Sequence, residues 1–248
     1  MLCCAAVCAA AQCFSALAQP VTRVKARLTA FDGQVMTLDP VSQPPPSSSG
    51  KQPPPAPDAK PAPLTVSITP VTRFVSSSKG VFADMKPGDY AGTALAPSSG
   101  DRLRAQEVFV YAEALRGTGQ GRFPEGDRLI INGTVAAVMP PGDKQAGTLT
   151  LHYHGSTLTG LGRGKTLCEG RASPPAYASA LACEADAVVE LLPGTPVSSL
   201  SEGDRSLLVP GSMVTVAIVT AADGKSTSPG VVVEKPAPAP VEKPQASP

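Results

Sequence analysis

A chain of 248 residues with 17% charged side chains, 4% aromatics and no tryptophan can line small cores with Val, Leu, Ile and Ala, but not one large aromatic core. Its formal net charge of +1 gives no bias toward nucleic acid, an acidic membrane surface or acidic substrates. Most of its 28 prolines gather in two tracts, where they forbid a packed core.

Residues 1–18 (MLCCAAVCAAAQCFSALA) carry no charge and end in the small-x-small pattern Ala16-Leu17-Ala18, which predicts a signal peptide with the mature chain starting at Gln19. Cys3, Cys4, Cys8 and Cys13 would leave with it. The two remaining cysteines, Cys168 and Cys183, are 15 apart and read as a disulfide in an oxidising compartment. No later segment is long and apolar enough to cross a membrane as a helix, so the expected location is periplasmic or extracellular.

In 24–31, Val24, Ala26, Leu28 and Ala30 alternate with polar residues, the period of a half-buried strand. Asp32-Gly33 then turns the chain back along 34–39. Residues 40–63 are rich in Pro and Ser and are expected to be a disordered insert with polyproline II character. Alternation resumes at 64–69, and strands follow at 72–75, 90–96 and 103–111, with a Pro87-Gly88 turn between. Residues 113–127 read as a Gly-rich linker. Gly117, Gly119 and Gly121 between Arg116 and Arg122 could form an anion-binding nest, but a hinge explains the same residues. Further strands are expected at 129–131, 134–139, 148–154, 185–192, 195–200, 213–220 and 230–233, with a Pro-rich tail at 235–248.

These elements repeat. Thr72 recurs as Thr195 and Pro87-Gly88 as Pro210-Gly211, 123 positions on, while Gly100 and Val108 recur as Gly224 and Val232, 124 on. The expectation is an all-β protein of two tandem, small, OB-like or SH3-like barrels of five to six strands, at 19–112 and 128–234. The first carries the insert at 40–63 and the second a disulfide-stapled excursion at 155–184.

The segment Ala114-Leu115-Arg116-Gly117-Thr118-Gly119-Gln120-Gly121, after the strand at 105–111 and the Lys86-Pro87-Gly88-Asp89 turn, resembles a family of small exported bacterial proteins. That family is built on a domain of unknown function and is often labelled metal ABC transporter permease. The resemblance spans roughly 21–39 and 64–233. It implies two small β domains behind a signal peptide and no catalytic residues; a permease would need several membrane-spanning helices.

Chemistry-bearing patterns are few. His152 and His154 sit two apart on a strand, so both rings share one face, as a Zn or Cu site requires. Leu149, Leu151 and Tyr153 would face the core. A third ligand would come from Glu169, Glu184 or Asp186, or from Cys168 or Cys183 if reduced. Residues 160–166 imitate a phosphate-binding loop but have Thr159 where the pattern needs Gly. There is no GxSxG elbow and no HExxH, and both histidines lie on one strand, so no nucleophile and base are paired. Four Tyr and six Phe are too few for a stacking nucleic-acid groove. The sequence therefore points to a non-enzymatic exported binding or structural module with no cofactor, whose partner is an envelope protein or cell-wall component. The alternative is a metal-binding protein using His152 and His154.

Overall fold

The computed structural model describes residues 21–41, 62–95, 103–125, 128–158, 167–171 and 182–235. The expected signal peptide, the bulk of the Pro-rich insert, the phosphate-loop imitation and the Pro-rich tail beyond Lys235 lie outside these residues.

The described chain is all β. Its first half supplies β1 (Val21–Phe31), β2 (Val35–Pro40), β3 (Leu64–Lys79), β4 (Tyr90–Leu95) and β5 (Leu103–Tyr111). After these come β6 (Gly121–Glu125), β7 (Arg128–Met139), β8 (Gly147–Leu158), β9 (Leu167–Arg171) and β10 (Ala182–Leu191). The last three are β11 (Val197–Gly203), β12 (Met213–Thr220) and β13 (Ser226–Glu234). Short 3₁₀ turns lie at Phe82–Asp84, Glu113–Leu115 and Arg205–Leu207.

Pairing closes two five-stranded rings. In barrel A, β1 pairs antiparallel with β2 and β2 with β3; β3 runs parallel to β13, and β13 pairs antiparallel with β12, which returns to β1. Barrel B repeats that order with β7, β8, β10, β5 and β4: β10 runs parallel to β5 and the other contacts are antiparallel. A three-strand meander closed through a parallel step by a hairpin is an OB-like order.

The expected tandem division at 19–112 and 128–234 is corrected by this pairing. Each half gives its first three strands to one barrel and its closing hairpin to the other: β4 and β5 complete barrel B, while β12 and β13 complete barrel A. The cause is visible in β3. Separate strands were expected at 64–69 and 72–75, but the chain runs on as one strand of 16 residues, roughly 50 Å long, whose far half stays beside β13 and also reaches β11. A register shift against β13 takes up the irregularity, and the Thr72 hydroxyl bridges it, donating to Ser228 O and accepting from Thr69 N. Beyond that shift, 74–79 pairs antiparallel with 198–203 of β11, the equivalent segment of the other half.

The exchange obeys a pseudo-two-fold. Gly88 donates to Val135 O of β7 at 2.8 Å, and Gly211 donates to Leu28 O of β1 at 2.7 Å. Both glycines have positive φ, 93° and 96°, where a Cβ would be strained. The repeated Pro-Gly turn therefore docks each hairpin on the first strand of the opposite half. After each preceding 3₁₀ turn an apolar side chain, Met85 or Leu208, is buried in the barrel that the hairpin enters.

Each barrel has its own core. Ala26, Leu28, Met36, Leu38, Val66, Val214, Val216 and Val231 fill barrel A, and Leu95, Val108, Ile131, Val135, Leu149, Leu151, Val189 and Leu191 fill barrel B. At about 1.5–3 kcal/mol per fully buried aliphatic side chain, these two clusters are the main stabilising term.

Two further expectations change. Residues 113–125 of the expected linker are turn and strand: β6 pairs antiparallel with β7, Tyr90 Oη donates to Thr118 O at 3.1 Å, and Asn132 Nδ2 donates to Gly119 O at 2.9 Å. The excursion at 155–184 is partly sheet, because β8 runs on to Leu158, β10 begins at Ala182, and β9 pairs with both β8 and β6. The Cys168–Cys183 disulfide is formed, with Cα atoms 5.6 Å apart, and ties β9 to the start of β10.

Candidate metal centre

Strand alternation builds the site. On β8, Leu149, Leu151 and Tyr153 point into barrel B and are 0–2% exposed, which sends His152 and His154 to the solvent face. On β10, Ala187 and Val189 point inward, leaving Glu184 and Asp186 on the outer face. The antiparallel register sets Glu184 directly opposite His154 and Asp186 opposite His152. Directly opposed residues hold their Cβ atoms about 4.5–5.5 Å apart, so four ligand-type side chains form one square.

Within it, His152 Nδ1 lies 2.8 Å from Asp186 Oδ1. His154 Nδ1 lies 3.0 Å from Glu184 Oε1, and His152 Nε2 lies 3.6 Å from Glu184 Oε2. The imidazoles meet edge to face with centroids 5.4 Å apart. One ligand atom from each of His152, His154 and Glu184 falls within 4.8 Å of the other two. Asp186 has a separate task. It accepts a hydrogen bond from Nδ1–H of His152, which fixes the tautomer with its lone pair on Nε2, on the side of Glu184. The two carboxylates bring negative charge to the square, which favours a cation. Two nitrogens and one oxygen suit Zn, Cu(II) or Ni better than Mg or Ca, and leave a position for water.

Of the sequence candidates, the structure thus joins His152, His154, Glu184 and Asp186. It does not bring in the cysteines: both are in the disulfide, and Cys183 alternates to the face opposite Glu184. The side chain of Glu169 lies outside the described residues. The glycine nest also fails as an anion site, because Arg116 is held by Glu113 through two contacts, at 2.6 and 2.7 Å, and donates to Gly88 O at 2.9 Å. The Arg116 guanidinium in turn holds the Glu113 carboxyl below the usual carboxylate range. Gly117 and Gly119 instead supply the positive φ angles of a tight turn.

No helix among the described residues is long and apolar enough to cross a membrane. Comparison with protein-family models, with curated proteins and with solved structures returns no match for this chain.

Proposed function

We propose that the protein is an exported, non-catalytic binding module of the bacterial envelope that takes a late first-row transition-metal ion, Zn(II) or Cu(II), at the outer face of β8 and β10. The observation that carries this is the convergence of His152, His154 and Glu184 ligand atoms within 4.8 Å, with Asp186 orienting His152. Export draws support from the leader-like 1–18, from the resemblance to exported proteins, and from the disulfide, which belongs to an oxidising compartment. The open, solvent-facing position suits capture and release of an ion at a surface shared with an envelope protein or cell-wall component. Calorimetric titration of the full chain with Zn(II) and Cu(II) tests it. One ion per chain is expected, and none for His152→Ala/His154→Ala; no binding by the parent, or equal binding by the variant, refutes the reading.

A further inference from the structure

The strands that cross between the barrels leave an open cleft of about 1240 Å³. Its charge is unbalanced. The three carboxylates lining it are all engaged: Glu107 accepts from Ser198 Oγ at 3.1 Å, Glu125 pairs with Arg23 at 2.8 Å, and Glu234 pairs with Lys25 at 2.6 Å. The Arg23–Glu125 pair joins β1 of barrel A to β6 beside barrel B. Lys79, Arg128 and Lys235 also line the cleft, and among the described residues none of the three has an ion-pair partner. Five lysines and arginines thus face three carboxylates, a net charge of +2 that favours an anion.

The form of the ligand follows from the rest of the lining. The cleft is larger than the roughly 300–1,000 Å³ of small-molecule pockets, which favours an extended ligand. A peptide would need a free strand edge or open apolar holes. β3 is paired on both sides, by β11 and β13, and so is β5, by β4 and β11. Phe123 and Ile130, only 9% and 7% exposed, already pack with Ala94 as a cluster of their own, so they offer no hole. A nucleic acid would need free stacking platforms, but the Tyr111 ring packs on Tyr90 with centroids 5.3 Å apart and Phe109 packs against the Phe123 cluster. What the lining does offer between the cations is hydroxyl groups, from Ser77, Ser78, Ser198 and Thr215. Ser77, Ser78 and Thr215 can each donate and accept, and Ser198, whose proton goes to Glu107, can accept, matching the hydroxyls of a sugar.

We infer that this cleft binds an acidic polysaccharide, with Lys79, Arg128 and Lys235 on its carboxylate groups and the serine and threonine hydroxyls on its ring hydroxyls. This cleft is separate from the metal reading, so the test is run with chelator present. Fluorescence anisotropy of a labelled galacturonate hexamer is measured on the full chain at low and moderate salt. Binding is expected, weakening as salt rises; a neutral dextran oligomer should not bind. Lys79→Ala/Arg128→Ala/Lys235→Ala should lower affinity at least tenfold and Arg128→Gln alone about threefold, while Lys144→Ala, in an exposed loop away from the cleft, leaves it unchanged. Absence of hexamer binding, full affinity in the triple variant, or an oligothymidylate binding as tightly as the hexamer would each overturn the proposal.

Discussion

Leu38 and Leu151 occupy matching places in the two barrels, and both are fully buried. Replacing either with Ala removes three buried carbons and leaves a cavity, at a cost of about 2–5 kcal/mol. In a tandem protein each loss would fall on one domain, and calorimetry would show one transition moving past another that stays. Here β12 and β13 close barrel A while the chain leading into them comes from barrel B, and β4 and β5 close barrel B while leaving barrel A. Opening one ring withdraws a hairpin from the half that holds the other, so both variants should shift a single transition. For an ordered unit of 150–250 residues, about 3 kcal/mol corresponds to roughly 6–12 °C in Tm. The assay is differential scanning calorimetry of parent, Leu38→Ala and Leu151→Ala, comparing calorimetric and van't Hoff enthalpies. Two resolved transitions, with each variant moving only one, would refute the claim that the exchanged hairpins lock the barrels together.

Glu184→Gln removes the charged third ligand and Asp186→Asn the orienting carboxylate; both should weaken Zn(II) binding in calorimetric titration, Asp186→Asn by about 10–100-fold. Reducing the Cys168–Cys183 bridge, whose separation is 15 residues, should cost about 3 kcal/mol, read as a lower guanidinium midpoint. Burial pushes the Tyr111 phenol up to about 12 and raises its neighbour Tyr90 as well, whereas an unfolded chain releases these protons near pH 10. The folded state therefore keeps protons that the unfolded state sheds. Stability present below pH 10 should fall between 10 and 12 by about 1.4 kcal/mol per unit from Tyr111 alone, and Tyr111→Phe should flatten that fall in urea titrations across pH. A Cβ at Gly92 would overlap Asn132 Oδ1, the acceptor for Tyr111, so Gly92→Ala should destabilise by about 1–3 kcal/mol, measured by urea denaturation.

How far the sequence could be read follows from the range of each signal. Alternation is a local property, so β5 and β12 were bounded to the residue, and the outward face of His152 and His154 followed from Leu149, Leu151 and Tyr153. Glu184 and Asp186 were on the short roster of third ligands, but choosing them over Glu169 or a thiol needed the register of β8 against β10, which no local pattern encodes. The Pro-Gly turn ahead of each hairpin was legible and the ownership of the hairpins was not. A closing hairpin makes the same contacts whether its own half or the other half supplies the remaining strands, so the pattern at Pro87-Gly88 and Pro210-Gly211 is identical in both cases. The one hint was β3: residues 64–69 and 72–75 stand so close that a single strand was available, with Thr72 bridging the irregularity. Residues 113–125 misled because Gly117, Gly119 and Gly121 read as flexibility, while Tyr90 and Asn132, distant in sequence, pin that turn.

The pseudo-symmetry also explains why, among the described residues, the candidate metal ligands occur once and not twice. Leu28 and Val135 match, since each accepts from the repeated Pro-Gly turn. In barrel A, Leu28 pairs with Leu38 and Leu38 with Leu64; in barrel B, Val135 pairs with Leu151 and Leu151 with Ala187. One step beyond that shared rung, barrel B has His152 opposite Asp186, and two steps further His154 opposite Glu184. The matching positions in barrel A are Asp39 and Val41 on one side and Pro63 on the other, where β2 ends at Pro40 and β3 starts at Leu64. Proline has no donor for a further rung, so the ladder stops there in one half and continues in the other. The candidate site therefore stands wholly on rungs beyond those the two barrels share, next to the disulfide that ties the start of β10 to β9. A site on the shared rungs would be constrained by the core of barrel B; one on the rungs beyond can change its ligands without disturbing Leu151 or Ala187.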